Sequence, residues 1–384
     1  MKIALLKLGG HFEEDSTSIT IGEVKSIYIL LSKIQQISKL DIFTILSKKQ
    51  EESRKPKQMF LFTRKKEVEY NIRSLDKEFD LLINDYDTLV VVNGSANFFG
   101  GAEDTAILLT YKAIRDFKNK VFYFLTDPAL MLKQLNIASK PWADKYKDEN
   151  YFFVQRKINY ICQANNLDHV KLLTERDSYV NTDKIYHFPF EKFTYVYNQP
   201  LRFNPNPPKD VIYGGTFRSG AREKSLINYY FGYKDVRVEL FGKLRLEDFN
   251  EKKVGSLSKP EFAGFVPYDR FIRYMNEEAM STVLIGDEVY IDCEDIAQRV
   301  YESILASVVC FVDIRYDQNK KIFKNETLRD FNYVGSRDDV EKKINYLKNN
   351  SQFRENIVKL QYEDTKIDIN DYCNSLYEIL NEEG

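Results

Sequence analysis

The chain has 384 residues, 43% of them hydrophobic, and is therefore long enough for two α/β domains, each with its own core. Its 56 basic and 58 acidic side chains give a formal net charge of −2, which excludes nucleic-acid binding through overall charge and leaves only a local basic patch. The four cysteines have neither metal-ligand nor redox spacing and predict reduced thiols in a cytosolic protein, and no apolar run is long enough for a signal peptide or a membrane span.

The first half of the chain alternates strands with helices, as in a parallel α/β sheet. Strands are predicted at residues 1–7, 41–46, 87–92, 120–125, 160–163 and 185–190, and helices at 23–37, from about 104, and shortly after 166. In such sheets the ligand crevice lies at the carboxyl ends of the strands. Residues 11–22 follow Gly9-Gly10 and are rich in turn-forming residues, so we expect a mobile loop over that crevice.

Residues 48–66 form a strongly basic segment, with eight basic side chains against two acidic ones. Phe60 and Phe62 lie among the cations, and such a patch can bind the phosphate backbone of a nucleic acid. The candidate phosphate contacts in this segment are Lys55, Lys57 and Lys65. The alternative interpretation is a solvated loop.

Two loops at the carboxyl ends of central strands carry candidate functional residues. Residues 93–101 read Asn-Gly-Ser-Ala-Asn-Phe-Phe-Gly-Gly, and exposed aromatic side chains there can wedge between bases, although the rings can also belong to the core. Asp127 follows the strand at 120–125, where a general base would face the crevice. Alternatively, Asp127 caps the next helix with Pro128 at its first position, and the two roles are compatible.

Residues 198–209 contain four prolines and are predicted to link two domains, 1–197 and 210–364. The second half repeats the alternation, with strands at 210–213, 236–241, 283–286 and 308–313 and helices near 219–230, 268–278, 295–306, 337–348 and 352–362. A last helix within 365–384 is expected to return to the first domain. The predicted fold class is α/β, with two Rossmann-like domains facing a central cleft.

The segment 210–222 reads Asp-Val-Ile-Tyr-Gly-Gly-Thr-Phe-Arg-Ser-Gly-Ala-Arg and is predicted as a strand, a turn at Gly214-Gly215 and then a helix. Arg218 and Arg222 are four residues apart, so they lie on one helix face, beside a helix N-terminus that favours anions. Together they predict a clamp for a diphosphate. An ordinary strand, turn and helix with two solvated arginines is the alternative.

Glu302 lies three residues after Arg299 in a predicted helix. One carboxylate can accept hydrogen bonds from both ribose hydroxyls of a nucleotide, and the alternative is a helix-surface ion pair with Arg299. The sequence lacks a dinucleotide fingerprint with its downstream acid. Two such domains with a diphosphate clamp therefore indicate a nucleotide-sugar transferase, in which the second domain holds the donor nucleotide and the first holds the acceptor.

Several blocks of the sequence resemble the DNA β-glucosyltransferase family of T-even bacteriophages. They occur in matching order over nearly the whole chain, at residues 1–4, 91–101, 124–127, 140–143, 210–222, 241–242, 284–287 and 299–302. The blocks Asn-Phe-Phe-Gly-Gly at 97–101 and Gly-Gly-Thr-Phe-Arg-Ser-Gly at 214–220 are far more specific than a short glycine motif.

The resemblance implies a two-domain GT-B type glycosyltransferase that moves glucose from UDP-glucose to the hydroxymethyl group of 5-hydroxymethylcytosine in duplex DNA, with inversion at the anomeric carbon. It implies that Asp127 is the general base. It also implies Mg²⁺ or Mn²⁺ held mainly by the diphosphate rather than by a protein cage. The expected protein is a monomer in the cytoplasm of the infected bacterial host.

By the same resemblance, the other motif residues take roles around the two substrates. Diphosphate binding falls to Gly214, Gly215, Thr216, Arg218 and Arg222, and ribose and uracil binding falls to Glu302, Val266, Phe241 and Gly242. The residues implied near the donor sugar are Ile21, Lys25, Glu191, Asp287 and Arg299. Contacts with DNA fall to Lys140, Lys55, Lys57 and Lys65, and to Asn97 and Phe99, whose loop fills the gap left by a flipped base.

One residue departs from the family pattern where the donor sugar is expected. Lys25 stands where the family has a glutamate, so another donor sugar or another modified base stays open as an alternative. The chain is also longer than typical members, around 48–66 and after Trp142. A non-catalytic nucleotide- or DNA-binding relative is a third interpretation, disfavoured because the base, the clamp and the ribose-binding glutamate are all present.

Overall fold

The computed structural model describes residues 1–11, 19–45, 57–61, 66–93, 109, 112–125, 169–174, 185–196, 198–216, 220–243, 249, 251–267, 270–286, 291 and 296–382. The chain divides into two compact units. The first contains Met1–Leu61, Lys65–Phe193 and Asp368–Gly384, and the second contains Thr194–Ile367. Each unit is built on its own parallel sheet.

The sheet of the first unit has seven parallel strands in the order β5-β2-β1-β6-β7-β8-β9. The strands of this unit are β1 (Lys2–His11), β2 (Lys39–Ile45), β3 (Lys57–Leu61), β4 (Lys66–Tyr70), β5 (Ile72–Ser74), β6 (Thr88–Asn93), β7 (Lys120–Leu125), β8 (Val170–Thr174) and β9 (Ile185–His187). Strands β3 and β4 pair antiparallel with each other in a separate two-stranded sheet. The helices include α1 (Ile19–Ser32), α2 (Phe79–Asp85), a 3-10 helix that begins at Phe190 (Phe190–Val196), and the C-terminal α10 (Ile369–Asn381).

The central strands of this sheet are apolar at nearly every position, because both faces of a parallel sheet are covered. Fully buried residues include Ile3, Leu5, Leu89, Val91, Val121 and Phe122. Leu31 of α1 and Leu376 of α10 line one small apolar space beside Val90 of β6. The Tyr372 hydroxyl of α10 donates to the Pro189 carbonyl at 3.0 Å. The C-terminal helix is therefore part of the core of the first unit.

The first unit differs from the sequence prediction in several elements. Strand β1 continues through Gly9-Gly10 to His11, and α1 starts at Ile19, inside the predicted loop. Part of the basic segment 48–66 forms strand β3, and strands β4, β5 and β8 were not predicted. These short runs lie among polar residues, and pairing with neighbouring strands decides their conformation more than local pattern does. The strand predicted at 160–163 lies outside the described residues.

The sheet of the second unit has six parallel strands in the order β12-β11-β10-β13-β14-β15. They are β10 (Lys209–Thr216), β11 (Val238–Lys243), β12 (Glu261–Gly264), β13 (Ala279–Leu284), β14 (Val309–Asp313) and β15 (Tyr333–Val334). Its helices include α3 (Ala221–Tyr230), α4 (Glu251–Val254), α5 (Phe271–Glu278), α6 (Arg299–Leu305), α7 (Glu326–Phe331), α8 (Arg337–Asn349) and α9 (Ser351–Thr365). Strands β13 and β14 are buried at every position.

The proline-rich segment 198–209 lies within the second unit and is hydrogen-bonded to its helices. The Leu201 N–H donates to the Leu305 carbonyl at 2.8 Å, and Nη2 of Arg354 donates to the Pro205 carbonyl at 2.6 Å. These bonds satisfy backbone groups that a segment with four prolines cannot pair in a ladder.

The glycine pair that was predicted to form a turn is instead part of a strand. Gly214 and Gly215 lie inside β10 and pair with Phe241 and Gly242 of β11. The prediction was wrong because glycine is common in turns and has no side chain whose pattern would indicate a strand. Here the neighbouring strand β11 pairs with both glycines. Strands β12 and β15 were not predicted, and the strand predicted at 283–286 lies earlier, as β13.

Candidate functional site

The strand order of the second sheet changes direction between β10 and β13. Strands β11 and β12 lie on one side of β10, whereas β13, β14 and β15 lie on the other. In open α/β sheets, ligands bind outside the carboxyl ends of the strands at such a switch point. The candidate site of this unit is therefore the edge of the sheet where the strands end, around Thr216 of β10 and Leu284 of β13. We call it the carboxyl edge below.

The ladder between β10 and β13 ends before that edge. Its last described pair is Val211 with Ser281. Beyond that pair, the Tyr230 hydroxyl of α3 donates to the Val283 carbonyl at 2.6 Å and accepts from the Val283 N–H at 2.8 Å. Burial raises the pKa of Tyr230 well above its ordinary value, so the hydroxyl keeps its proton. A helix side chain thus satisfies backbone groups that a neighbouring strand would otherwise pair.

Arg299, at the start of α6, reaches the same edge. Its Nη1 donates to the Gly214 carbonyl at 2.7 Å, and its Nε lies 3.1 Å from Oε2 of Glu302. Its guanidinium carbon lies 3.8 Å from the centroid of the Phe271 ring. The Glu302 side chain is only 4% exposed, so the predicted ion pair exists but does not lie on the helix surface. These contacts fix one guanidinium between a strand end and a buried carboxylate.

Glycine is required where β10 and β11 approach each other. Gly242 has a φ of +114°, and a Cβ there would lie 3.0 Å from the backbone N and C of Gly215 and nearer still to its carbonyl oxygen. A Cβ on Gly214 would overlap the rings of Phe241 and Phe271. Gly215 and Gly242 are both partly exposed, so a ligand can approach the backbone of the two strand ends without interference from a side chain.

Helix α3 follows the end of β10 and carries Arg222 in its first turn. Its N-cap is Gly220, whose φ is +92°, and no side chain caps the helix by a hydrogen bond. A helix N-terminus attracts anions through its amide groups and its dipole. Arg222 adds a partly buried guanidinium at this end. The start of α3 therefore suits a phosphate group.

Three aromatic rings lie close together beside Gly214. The Phe241 ring centroid lies 5.2 Å from that of Phe271 and 5.0 Å from that of Tyr274. Val266 follows the end of β12 and packs, half-buried, against the same core. The ends of β11 and β12 thus carry an apolar surface next to the exposed backbone of Gly242.

One set of contacts at the carboxyl edge was not predicted from the sequence. Asp313 ends β14 and is buried, and Arg315 binds it through Nε to Oδ1 at 3.1 Å and through Nη2 to Oδ2 at 2.6 Å. This hydrogen bonding raises the pKa of Arg315 above its ordinary value. Nη2 also donates to Oγ of Ser225 on α3 at 3.0 Å. The sequence shows that a carboxylate ends a buried strand, but it does not show that Arg315 connects this carboxylate to α3.

The predicted site residues fall into three groups. Those that the structure brings together at the carboxyl edge are Gly214, Gly215, Phe241, Gly242, Arg299 and Glu302, with Thr216 as the last residue of β10 and with Arg222 and Val266 on the adjoining elements. In the first unit, Glu191 is buried in the first turn of the 3-10 helix, Ile21 and Lys25 lie on α1, and Lys57 pairs with Tyr70 in the β3-β4 hairpin. The predicted residues outside the described part of the chain are Lys55, Lys65, Asn97, Phe99, Asp127, Lys140, Arg218 and Asp287.

The chemistry of the carboxyl edge favours an anion. Its described donors include the guanidinium groups of Arg222 and Arg299 and the backbone at a helix start, which suit phosphate oxygens. Among the residues that the structure describes, no group of three or more His, Cys, Asp or Glu side chains is placed to hold a metal ion. Within the same described ranges, no helix combines the length and the apolar character needed to cross a membrane.

Two α/β domains, each built on its own parallel sheet, are the components of the GT-B type of glycosyltransferase fold. Solved structures agree with this class. T4 phage BGT in complex with UDP and Mn²⁺ matches with a TM-score of 0.66 and 23% identity over 100% of both chains. The complex of T4 phage BGT with its UDP-glucose substrate matches with a TM-score of 0.66 and 22% identity, also over 100% of both chains. The predicted fold class is confirmed.

Sequence comparison identifies the family. A family model described as bacteriophage T4 beta-glucosyltransferase matches residues 57–194. The DNA beta-glucosyltransferase of Enterobacteria phage T4 is 32% identical over 291 residues, which are 75% of this chain and 80% of that protein. The chain belongs to the bacteriophage T4 β-glucosyltransferase family, and the resemblance drawn from the sequence blocks is confirmed.

Proposed function

We propose that this protein is an inverting glycosyltransferase that moves glucose from UDP-glucose to the hydroxymethyl group of 5-hydroxymethylcytosine in duplex DNA. Its 32%-identical relative is a DNA β-glucosyltransferase, and a solved protein of the same fold has UDP-glucose as its substrate. The proposal rests on one observation in this chain. At the switch point of the second sheet, the backbone of Gly214, the guanidinium of Arg299 and the carboxylate of Glu302 converge.

The diphosphate of the donor binds at the start of α3 in this proposal. The backbone of Gly214, Gly215 and Thr216 approaches the phosphate oxygens, with Arg218 and Arg222 as the cations. Arginine suits this position because its planar guanidinium donates two parallel hydrogen bonds to a phosphate. The same cations offset the negative charge that develops on UDP as it departs.

The nucleoside occupies the ends of β11 and β12. Glu302 accepts hydrogen bonds from the ribose hydroxyls, and Arg299 orients that carboxylate through their ion pair. The backbone of Val266 reads the uracil, beside the surface that Phe241 and Gly242 form. The bond from Arg299 to β10 supports a single site, because it ties the ribose-binding helix to the phosphate-binding strand.

Asp127 acts as the general base. It takes the proton of the acceptor hydroxyl as that oxygen attacks C1 of glucose, and the bond from C1 to the UDP oxygen breaks on the opposite face. UDP leaves with the electron pair of that bond, so the anomeric centre is inverted. The side chains proposed around the sugar are Ile21, Lys25, Glu191, Asp287 and Arg299.

The first unit holds the DNA in this proposal. An enzyme that modifies a base takes it out of the helical stack, and the loop with Asn97 and Phe99 fills the gap that remains. Lysine side chains contact the phosphate backbone without reading the sequence. The proposed contacts are Lys55, Lys57, Lys65 and Lys140, of which Lys57 lies on the β3-β4 hairpin.

A divalent cation, Mg²⁺ or Mn²⁺, accompanies the diphosphate. Its ligands would be mainly phosphate oxygens, which agrees with the guanidinium and backbone donors at the carboxyl edge and with the related complex that contains UDP and Mn²⁺. When bound, the cation neutralises part of the diphosphate charge. The protein is proposed to act as a monomer in the cytoplasm of the infected bacterial host.

A second candidate function keeps the site and changes the donor sugar or the modified base. Lys25 lies on α1 at the position where the family has a glutamate. A carboxylate accepts hydrogen bonds from sugar hydroxyls, whereas an ammonium group only donates, so the substitution changes what the sugar pocket can recognise.

A donor screen separates these candidates. The purified chain is incubated with 5-hydroxymethylcytosine duplex DNA, Mg²⁺ and one nucleotide sugar at a time, with unmodified cytosine DNA as the control. Nucleoside mass spectrometry should detect an added hexose only with UDP-glucose and only on hydroxymethylated DNA. Transfer from another donor would favour the second candidate. If UDP binds but no donor supports transfer, the protein is a non-catalytic relative or has a different acceptor.

A further inference from the structure

An ion pair between Asp313 and Arg315 lies at the end of β14, at the carboxyl edge. Asp313 is 1% exposed, whereas the Arg315 side chain is 51% exposed. Besides the two guanidinium bonds, the backbone N–H of Arg315 donates to Oδ1 of Asp313 at 3.0 Å. Three hydrogen bonds to one carboxylate fix the guanidinium in a single orientation.

The same guanidinium holds helix α3. Nη2 of Arg315 donates to Oγ of Ser225, and Ser225 is 1% exposed. A buried hydroxyl is unfavourable unless it is hydrogen-bonded, and alanine is a better helix former than serine. The bond to Arg315 therefore gives a physical reason for a serine at this position of α3.

The bond lies close to the phosphate-binding end of the helix. Ser225 and Arg222 are three residues apart on one face of α3, separated by roughly 4.5 Å along the helix axis. The Tyr229 hydroxyl, in the last turn of α3, donates to the Val334 carbonyl at 3.3 Å and also interacts with Asp313 and Arg315, whereas the bond to Ser225 lies one turn nearer Arg222. Arg315 thus holds the turn that follows Arg222.

We propose that Arg315 is a positioning residue for the donor: through Ser225 it fixes the N-terminal half of α3, and with it Arg222, against the edge where the diphosphate binds. The inference rests on the proposed function of that edge. Two parallel N–H bonds from a guanidinium to a phosphate need a defined geometry, so a tilt or rotation of α3 weakens them. Arg315 acts through Arg222 and does not itself contact the nucleotide.

Titration of the full chain with UDP in a calorimeter tests the role without DNA or turnover. Ser225→Ala removes only the bond between Arg315 and Ser225 and keeps the pair of Arg315 with Asp313, whereas Arg315→Gln disrupts both. We expect each variant to bind UDP about 3- to 10-fold more weakly. The UDP affinity of Arg315→Lys should fall between that of the wild type and that of Arg315→Gln, because an ammonium group keeps the charge but cannot form the two parallel hydrogen bonds of a guanidinium.

Arg237 provides the matched control at the amino end of the same sheet. Its side chain is 56% exposed, and its Nη2 lies 2.9 Å from Oδ1 of buried Asp210. Arg237→Gln should lower the melting temperature as Arg315→Gln does, but it should change UDP affinity by less than about twofold. This comparison separates a positioning effect from a general loss of stability.

A double-mutant cycle tests whether the effect passes through Arg222. In an Arg222→Ala background, Ser225→Ala should change UDP affinity by less than about twofold. Three results would each overturn the positioning role: unchanged affinity in both Ser225→Ala and Arg315→Gln, an equal loss in Arg237→Gln, or the full effect without Arg222. A wild-type chain that does not bind UDP, or an Arg222→Ala variant that binds it normally, would overturn the donor site and the positioning role with it.

Discussion

Gly242→Ala tests the close approach of β10 and β11 at the carboxyl edge. The residue has a φ of +114°, in a region that side chains disfavour, and a new Cβ would meet the backbone of Gly215. Backbone atoms cannot swing aside as the end of a flexible side chain can. The two strand ends must therefore shift, and the glycine backbone proposed to approach the diphosphate shifts with them.

Two costs add in this variant. A non-glycine residue in an unfavourable backbone conformation costs roughly 1–3 kcal/mol. Overpacking at a tight contact costs roughly another 1–3 kcal/mol. We therefore expect Gly242→Ala to lower the free energy of unfolding by about 2–6 kcal/mol. In a chain of this size, with an unfolding entropy of about 2.1 cal/mol/K per residue, that loss lowers the melting temperature by roughly 2–7 °C.

Gly255→Ala is the matched control for the clash. Its φ is +58°, and a Cβ there would meet nothing within 4 Å. It should lose only about 1–2 kcal/mol in urea unfolding, from backbone strain, and keep its UDP affinity in a calorimetric titration. Gly242→Ala should lose more stability and bind UDP more weakly. Equal stability losses in the two variants, or normal UDP binding by Gly242→Ala, would refute the reasoning.

Tyr230→Phe removes the hydroxyl that is hydrogen-bonded to both the N–H and the carbonyl of Val283. We expect urea unfolding to show that the free energy of unfolding falls by roughly 2–4 kcal/mol. Wild-type stability of this variant would contradict a stabilising role for the two hydrogen bonds. Asp127→Asn should abolish transfer in the mass-spectrometric assay and leave UDP affinity nearly unchanged, since the base contacts the acceptor, and normal turnover would exclude Asp127 as the base. Burial alone would raise the pKa of Asp210, but hydrogen bonds from Arg237 and Lys348 hold it below its ordinary value of 3.8. The stabilisation is therefore present above about pH 4 and is lost as the pH falls further, so urea unfolding of Asp210→Asn should depend less on pH below that value than the wild type does. An identical pH dependence of the two proteins would show that Asp210 contributes nothing there.

The sequence was sufficient to predict the architecture, because strands buried on both faces of a parallel sheet are apolar at nearly every position. This is how the strands at 87–92, 120–125 and 308–313 were predicted close to their observed bounds. Short strands such as β12 and β15 have no such signature, since four residues or fewer show no usable periodicity. They exist because a longer neighbour offers them hydrogen-bond partners.

The family could also be identified from the sequence, because its motifs are contiguous blocks of residues that occur in matching order along the chain. Glu302 shows the limit of such a local pattern. Its spacing from Arg299 correctly indicated an ion pair, but only the fold shows that the carboxylate is buried and that Arg299 also binds the Gly214 carbonyl. The two interpretations of Glu302, ion pair and ribose ligand, are therefore compatible.

Which residues meet at the carboxyl edge was decided by the tertiary structure alone. Arg299 and Gly214 are 85 residues apart in the chain, and Arg315 and Ser225 are 90 residues apart. A local pattern carries no information about partners at that separation, because strand order and helix packing bring them together. The sequence by itself determined the two α/β domains, the family and the motif residues. The fold decided that the glycine pair is strand rather than turn. It also decided that side chains from α3 and α6 form hydrogen bonds with backbone groups of β13 and β10 near the point where the ladder between these strands ends.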